Sequence, residues 1–198
     1  MVRQILFVQG GGEQVHERWD ARLVESLQRE LGPGYEIRYP VMPNEADPAF
    51  ATWQIALEKE FATLQAGAVV VGHSLGGTFL INALAESSPD AALGAVVLIA
   101  APFVGPGGWE SDDIEPRSDL ATRLPPAVPV LLYHGDQDRI APVAHVELYG
   151  AAIPRARVRR LAGRDHQLNN DLSEVATDIR ELELPVKPPA RSPRMGNP

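Results

Sequence analysis

The sequence contains no cysteine, which excludes disulfide bonds, a cysteine nucleophile and thiolate ligands for a metal. Basic residues are also few relative to acidic ones. The sequence has 18 Lys and Arg and 26 Asp and Glu, which gives a formal net charge of −8. This charge disfavours a nucleic-acid partner. No apolar run approaches the roughly 20 residues that cross a bilayer, and the N-terminus lacks the features of a signal peptide. We therefore expect a soluble, cytoplasmic protein with neither a membrane nor a nucleic acid as partner.

The last residues differ in composition from the rest of the 198-residue chain. Segment 184–198 is rich in proline and contains three basic residues but no acidic one. Proline removes backbone donors, and a segment with little apolar surface to bury gains little by folding. We predict one domain over residues 1–183, within the usual length of a single core, and a flexible tail over 184–198.

Short apolar runs alternate with segments of helical periodicity along the body of the chain. The runs predict strands at 5–8, 35–42, 68–71, 95–101, 128–133 and 157–161. The first helical stripe consists of Val15, Trp19, Leu23, Leu27 and Leu31. Continuous apolar strands alternating with amphipathic helices indicate an α/β fold, in which helices cover both faces of a mostly parallel sheet. Ligands of such sheets bind beyond the carboxyl ends of the strands.

The motif that carries most chemical information is Gly72-His73-Ser74-Leu75-Gly76. It follows a predicted buried strand and precedes a predicted helix, which is the context that a G-x-S-x-G nucleophile turn requires. A sharp turn projects the Ser74 hydroxyl, and a Cβ at either glycine would crowd it. The backbone N–H of Leu75 lies at the helix start, where it can face an oxyanion. We predict that Ser74 is a nucleophile.

A serine hydroxyl needs a general base, and histidine is the usual one. Of the five histidines, only His166 lies in a loop after the last predicted strand and fits the chain order Ser, Asp, His. For the others we expect packing or solvated roles: His16, His73, His134 and His145.

We expect the acid that orients the histidine to lie in the segment His134-Gly-Asp-Gln-Asp138. Both Asp136 and Asp138 follow a buried strand, and the residue pattern alone does not choose between them. The other aspartate would be a turn residue that binds backbone groups.

A glycine-rich segment, Gln9-Gly10-Gly11-Gly12, follows the first strand. Its backbone can approach a substrate closely and supply a second oxyanion donor. A dinucleotide site is disfavoured because Val15 stands where G-x-G-x-x-G needs its third glycine. No histidine pair has metal-ligand spacing, so we expect neither a metal nor another cofactor.

Taken together, the Gly-Gly-Gly segment, Gly-His-Ser-Leu-Gly-Gly, His-Gly-x-x-Asp-x-Ile-x-Pro and the late Asp-His resemble the α/β-hydrolase superfamily over residues 3–183. Within it, the chain resembles the small lidless serine hydrolases of the retinoblastoma-binding-protein-9 and YdeN-like group. The resemblance implies a three-layer fold of about six strands without a large cap, with the second strand at one edge beside the first. The first predicted strand directly precedes the glycine-rich segment, so we expect the chain to lack the amino-terminal hairpin of the eight-stranded family fold.

The resemblance also implies roles for individual residues. The catalytic residues would be Ser74, His166 and, as the second aspartate of its motif, Asp138. The oxyanion hole would be the backbone N–H groups of Gly11 and Leu75. Gln9 departs from the family pattern, in which many relatives have histidine.

The resulting hypothesis is a carboxylesterase-like serine hydrolase that acts on an ester or related small-molecule acyl substrate through an acyl-enzyme intermediate. Phe103 and Trp109 lie in the loop after the fourth strand, and we predict that they line the acyl pocket. Two alternatives stay open: a protein-binding module on a hydrolase fold, and an acyltransferase or peptidase with the same three residues.

Overall fold

A computed structural model of the chain describes residues 2–182. The predicted tail at 184–198 and the domain end at residue 183 lie outside the described residues. Six parallel strands form one sheet in the order β2-β1-β3-β4-β5-β6. Their bounds are β1 Arg3–Val8, β2 Tyr35–Arg38, β3 Val69–His73, β4 Ala95–Ile99, β5 Val130–Gly135 and β6 Arg157–Leu161. The predicted six-stranded α/β architecture is confirmed.

Helices cover both faces of the sheet. Their bounds are α1 Ala21–Leu31, α2 Phe50–Phe61, α3 Ser74–Glu86, α4 Leu120–Arg123, α5 Ala144–Ala152 and α6 Ser173–Glu181. α1 and α6 bury their apolar side chains against one face, and α2, α3 and α5 against the other. Within residues 2–182 there is no helix with the length and apolarity that a membrane crossing needs.

Burial explains why the central strands are apolar at every position. All five residues of β3 and all five of β4 are buried, because each strand has helices above and below it. β6 lies at the edge of the sheet, and none of its residues is fully buried. Its sequence is accordingly Arg-Val-Arg-Arg-Leu, with charged side chains that an edge strand tolerates.

The first helical segment differs from the predicted stripe. Residues Val15–Asp20 form a π-helical segment, which precedes α1. Because hydrogen bonds in such a segment span five residues, the side chains rotate relative to an α-helix. Trp19, predicted on the apolar stripe, is 53% exposed, whereas Asp20 is fully buried in its place. The stripe continues as predicted with Leu23, Leu27 and Leu31.

Two further boundaries differ from the sequence-based prediction. β2 ends at Arg38, although the alternation of apolar residues predicts a strand to Met42; Pro40 has no N–H to continue the ladder. The connection from β4 to β5 contains a loop and the single turn of α4, so no large cap covers the sheet within the described part of the chain.

The strand order creates a crevice at the carboxyl edge of the sheet. From β1 the chain passes outward to β2 and then returns to β3 on the other side of β1. Connections therefore diverge beyond the ends of β1 and β3, which is where open α/β sheets bind ligands. The glycine-rich segment after β1 and Ser74 after β3 both lie at this point.

Candidate active site

The turn between β3 and α3 places Ser74 in a strained conformation. β3 ends at His73, α3 begins at Ser74, and the φ angle of Ser74 is 50°, in the left-handed region that non-glycine residues rarely adopt. Tight packing explains the two flanking glycines. A Cβ on Gly72 would come within 2.5 Å of the Gly77 Cα, and one on Gly76 would overlap the Gln9 carbonyl oxygen.

His166 joins the serine to an aspartate. Its Nε2 lies 2.9 Å from the Ser74 Oγ, and its Nδ1 lies 2.7 Å from the Asp138 Oδ2. The loop that carries His166 is fixed just beyond it by a left-handed turn at residues 168–170. The Asp165 Oδ1 accepts the N–H groups of Gln167 and Asn169 and so holds this turn in place.

The structure distinguishes the two candidate aspartates. The second oxygen of Asp138, Oδ1, accepts the backbone N–H groups of Ile140 and Ala141 at 2.8 and 3.0 Å. The carboxylate is thereby aimed at His166. Asp136 instead accepts the N–H of Gly163 at 2.7 Å and connects two loops. The geometry therefore brings together Ser74, His166 and Asp138, and leaves Asp136 outside the group.

Hydrogen bonds and burial set the charge states of this group. Burial alone would raise the pKa of Asp138, but hydrogen bonds from His134 and His166 outweigh it and hold the pKa below its usual range. Burial lowers the pKa of His166, and the nearby charge of His73 lowers it further, against the opposing bond to Asp138. His166 is thus neutral at pH 7, the state in which Nε2 can accept a proton.

Two backbone N–H groups are candidates for binding an oxyanion. Gly11 packs directly against Leu75, since a Cβ on Gly11 would lie 2.8 Å from the Leu75 Cδ2. The N–H of Leu75 belongs to the first turn of α3, where amides have no acceptor inside the helix. The flanking N–H groups of Gly10 and Gly12 donate to Asp20 and Glu45, whereas within residues 2–182 the N–H of Gly11 has no protein acceptor.

Gln9, the first residue of the glycine-rich segment, is fully buried. Its Nε2 donates to the Glu45 carboxylate at 2.5 Å, and its Oε1 accepts the backbone N–H of Met42 at 3.1 Å. The Gln9 side chain thus anchors the glycine-rich segment to the connection that follows β2. The backbone donors of the segment do not depend on a histidine at this position.

A cleft of about 580 Å³ opens at Ser74, and we call it the Ser74 cleft. Apolar side chains contribute much of its wall: Val15 and Trp19 from the π-helical segment and Ile140 from the loop after β5. Trp19 and Ile140 are 53% and 62% exposed, and both line the cleft. Their position provides apolar contact area next to the serine hydroxyl.

The structure differs from the sequence-based expectation for Phe103 and Trp109, because neither lines the Ser74 cleft. Phe103 is buried in the core, where its ring packs edge-on against Tyr149. Trp109 packs edge-on against His145, whose Nδ1 accepts the N–H of Phe103. The loop is therefore folded onto α5.

Sequence reasoning missed three residues of the site. His134, assigned to packing, has its Nε2 3.0 Å from the Asp138 Oδ2. His73 and Asp20 form a second buried histidine–aspartate pair, with 2.9 Å between Nδ1 and Oδ2. His134 could have been found from its place four residues before Asp138, but nothing in the sequence pattern indicates Asp20. Among residues 2–182, no three acidic or histidine side chains converge as metal ligands.

Within residues 2–182, the parallel sheet, the strained strand-to-helix turn and the connection from β4 to β5 without a large cap define an α/β hydrolase fold without a lid. A family model described as serine hydrolase matches residues 5–157, most of the chain. The protein therefore belongs to the serine hydrolase family and is an enzyme of that class.

Solved structures share the fold at low sequence identity. The ydeN gene product of Bacillus subtilis is similar with a TM-score of 0.73 and 19% identity, over 92% of this chain and 99% of that one. A lidless serine hydrolase from Xanthomonas campestris, XC6422, has a TM-score of 0.61 and 17% identity, over 95% and 86%. Est1E of Butyrivibrio proteoclasticus, solved with ferulic acid bound, has a TM-score of 0.64 and 16% identity, over 91% and 88%. No curated protein sequence matches this chain.

Proposed function

We propose that the protein hydrolyses carboxylic esters through an acyl-enzyme intermediate, with Ser74 as nucleophile, His166 as general base and acid, and Asp138 as the group that orients His166. The observation that carries this proposal is the position of the His166 ring, 2.9 Å from the Ser74 Oγ and 2.7 Å from the Asp138 Oδ2. A nucleophile, a base and an orienting acid within hydrogen-bond reach are the arrangement that acyl transfer requires.

In the first half-reaction, the Ser74 Oγ attacks the ester carbonyl carbon while its proton passes to the His166 Nε2. The negative charge that develops on the carbonyl oxygen is stabilised by the N–H groups of Gly11 and Leu75, and such a donor is worth about 3–4 kcal/mol. The carbon–oxygen bond to the alcohol then breaks. His166 returns the proton to the departing alkoxide, which leaves the acyl group on Ser74.

In the second half-reaction, water takes the place of the alcohol. His166 accepts a proton from the water as the water oxygen attacks the acyl-enzyme carbonyl carbon. The bond from that carbon to the Ser74 Oγ then breaks, His166 returns the proton to Oγ, and the carboxylic acid is released. Asp138 keeps the Nδ1 of His166 protonated through both halves and stabilises the imidazolium that forms. The proposed steps use only these protein groups and water.

The walls of the Ser74 cleft favour an apolar acyl or alcohol group. Val15, Trp19 and Ile140 provide the apolar surface, and the exposed charged side chains at the cleft, Arg139 and Asp165, are of opposite sign. A neutral ester with a short to medium apolar chain fits this lining better than a strongly charged substrate. Binding of ferulic acid by Est1E is a property of that protein, and we extend only the preference for an apolar ester to this chain.

Active-site labelling tests the proposal. Purified wild-type protein is treated with a fluorophosphonate probe, with Ser74→Ala as the negative control and Ser87→Ala as the matched control outside the site. We expect one label on the wild type and on Ser87→Ala, and none on Ser74→Ala. Absence of label on the folded wild type, or equal labelling of Ser74→Ala, would contradict the proposal.

A substrate panel separates hydrolysis from the alternatives that use the same residues. p-Nitrophenyl esters, matched thioesters and aminoacyl amides are compared by kcat/KM, with and without an added alcohol acceptor. We expect the esters to be best and free acid to be the main product. Preferential amide cleavage would indicate a peptidase, and transfer to the added alcohol an acyltransferase. No turnover of any substrate would favour the binding module.

A further inference from the structure

A second carboxylate lies behind the candidate active site and has no part in the proposed reaction. Asp20, the last residue of the π-helical segment, is fully buried. Its Oδ2 accepts the N–H of Gly10 at 2.7 Å and lies 2.9 Å from the Nδ1 of His73. Its Oδ1 accepts the side-chain Nε2–H of Gln167 at 3.3 Å. A buried carboxylate with this many donors is ionised and requires a counter-ion.

His73 supplies that counter-ion, as the partners of its two ring nitrogens show. Nδ1 faces the Asp20 carboxylate, and Nε2 lies 3.1 Å from the backbone carbonyl oxygen of His166. Both oxygens can only accept, so both nitrogens must donate, and only the imidazolium has two N–H groups. Burial alone would lower the pKa of His73, but the charge and hydrogen bond of Asp20 outweigh it and raise the pKa above its ordinary value.

The contacts of this pair reach three of the segments that form the candidate site. Gly10, bound by Asp20, precedes the candidate oxyanion donor Gly11. His73 precedes Ser74, and its other bond holds the carbonyl of His166. Three loops that are distant in sequence thus meet at one buried ion pair.

We propose that Asp20 and His73 form a positioning pair, which holds Gly11, Ser74 and His166 in register and keeps a fixed positive charge beneath His166. This inference rests on the proposed function of Ser74 and His166. The pair does not touch the reacting atoms and acts only through the residues that do.

The fixed charge has an electrostatic consequence for the general base. The rings of His73 and His166 lie 5.0 Å apart between centroids. An imidazolium at that distance opposes protonation of His166, whereas Asp138, which contacts His166 directly, favours it. The other titratable groups around these two rings are Asp20 and His134, both buried. Loss of the His73 charge therefore raises the pKa of His166 and leaves less neutral base at a given pH.

Two conservative variants, Asp20→Asn and His73→Gln, test the positioning pair. We expect kcat for a p-nitrophenyl ester to fall about 10- to 100-fold with little change in KM, because misplacement of the reacting groups impairs chemistry more than substrate binding. We also expect the acidic limb of the kcat/KM profile to move to higher pH in His73→Gln, because this variant removes the imidazolium that opposes protonation of His166. Asp178→Asn is the matched control, since Asp178 is equally buried and bonds Tyr133 on another part of the sheet.

Outcomes are judged relative to the folded fraction, which thermal unfolding and circular dichroism measure for each variant. Unchanged kcat per folded molecule, or an equal shift of the acidic limb in Asp178→Asn, would overturn the proposal. If a variant does not fold, a nitrogen-15 NMR spectrum of the histidine rings in the wild type still tests the proposal. We expect both ring nitrogens of His73 to be protonated at pH 7.5. A neutral His73 ring would overturn the positioning pair.

The spectrum also separates this inference from the proposed function, because it requires no activity. A wild type that fails to react with fluorophosphonate but contains a protonated His73 would contradict the ester hydrolase and leave the ion pair intact. A wild type that is labelled at Ser74 but contains a neutral His73 would contradict only the positioning pair.

Discussion

Two histidine–aspartate pairs lie side by side at the carboxyl edge of the sheet, and they differ in charge state. In each, a carboxylate oxygen is within 3 Å of an Nδ1: 2.7 Å for Asp138 and His166, and 2.9 Å for Asp20 and His73. His166 nevertheless has a lowered pKa and His73 a raised one. The carboxylate alone therefore does not determine whether the ring is neutral or charged.

The partner of the second nitrogen accounts for the difference. The Nε2 of His166 faces the Ser74 hydroxyl, which can donate, so a neutral ring satisfies both of its bonds. The Nε2 of His73 faces a backbone carbonyl, which can only accept, so the ring must keep both protons. One pair is thus suited to accept and return a proton, and the other to remain a constant charge.

Removal of each carboxylate's charge should have very different consequences. We expect Asp138→Asn to lower kcat about ten-thousand-fold, because the amide no longer holds Nδ1 protonated and His166 adopts the wrong tautomer. Asp20→Asn should lower kcat only about 10- to 100-fold, since it affects geometry. Steady-state kinetics on a p-nitrophenyl ester measures both. Equal losses in the two variants would abolish the distinction between the pairs.

His134 gives the first pair a third member that can be removed separately. Its Nε2 lies 2.8 Å from the Ala141 carbonyl oxygen and 3.0 Å from the Asp138 Oδ2, and the interaction with the carboxylate lowers the pKa of Asp138. We expect His134→Gln to lower kcat about 10-fold, in keeping with the loss of one hydrogen bond to a charged group. His145→Gln is the matched control, because His145 is also buried but bonds the Phe103 N–H instead. A loss of the same size in His145→Gln would contradict a specific role for His134.

Stability should respond to pH with opposite slopes for the two histidines. His73 has a raised pKa, so its stabilising contribution is complete below about pH 6.5, the pKa of the unfolded chain, and decreases as pH rises towards the folded pKa. His166 has a lowered pKa, so protonation of the unfolded chain reduces stability as pH falls below about 6.5. Each slope is at most about 1.4 kcal/mol per pH unit.

Urea unfolding from pH 5 to 8.5 measures these slopes. We expect the difference in unfolding free energy between wild type and His73→Gln to shrink above pH 6.5. The difference between wild type and His166→Gln should instead grow as pH rises towards 6.5. Slopes of the same sign for the two histidines would show that they do not differ in charge state.

Trp19 and Asp20 are neighbours in the sequence but lie in different environments. Trp19 points into the Ser74 cleft while Asp20 points into the core, so changes at the two positions should affect different properties. We expect Trp19→Ala to reduce kcat/KM for longer acyl chains about 3- to 10-fold, through lost apolar contact, without moving the acidic limb of the pH profile. Trp109→Ala, an exposed tryptophan outside the cleft, is the control and should leave chain-length preference unchanged.

Periodicity and motif context predicted most of the fold, because they depend on local patterns. β3 and β4 are buried on both faces, so their continuous apolar composition identifies them as strands. Because Ser74 directly follows β3, its position after a strand was predictable for the same reason. The π-helical segment was not predictable, because Trp19 fits the four-residue spacing of the buried leucines that follow it. Only the π-helical backbone places Asp20 in the core and leaves Trp19 exposed.

The site was predictable where chain order and motif constrain it. Ser74 and His166 follow strands in the expected order, whereas the choice between Asp136 and Asp138 depends on which carboxylate reaches across to another loop. The interpretation of Phe103 and Trp109 failed to match the cleft because the direction of a loop is set by tertiary contacts, here with Tyr149 and His145. Long-range contacts of this kind leave no trace in local sequence.

The left-handed backbone conformation of Ser74 also affects the stability of the folded protein. A non-glycine residue in that region costs about 1–2 kcal/mol of folding free energy, and glycine would relieve it. The position of the proposed nucleophile is therefore one at which glycine, which has no hydroxyl, would remove the backbone strain. Stability alone therefore does not favour serine at this position.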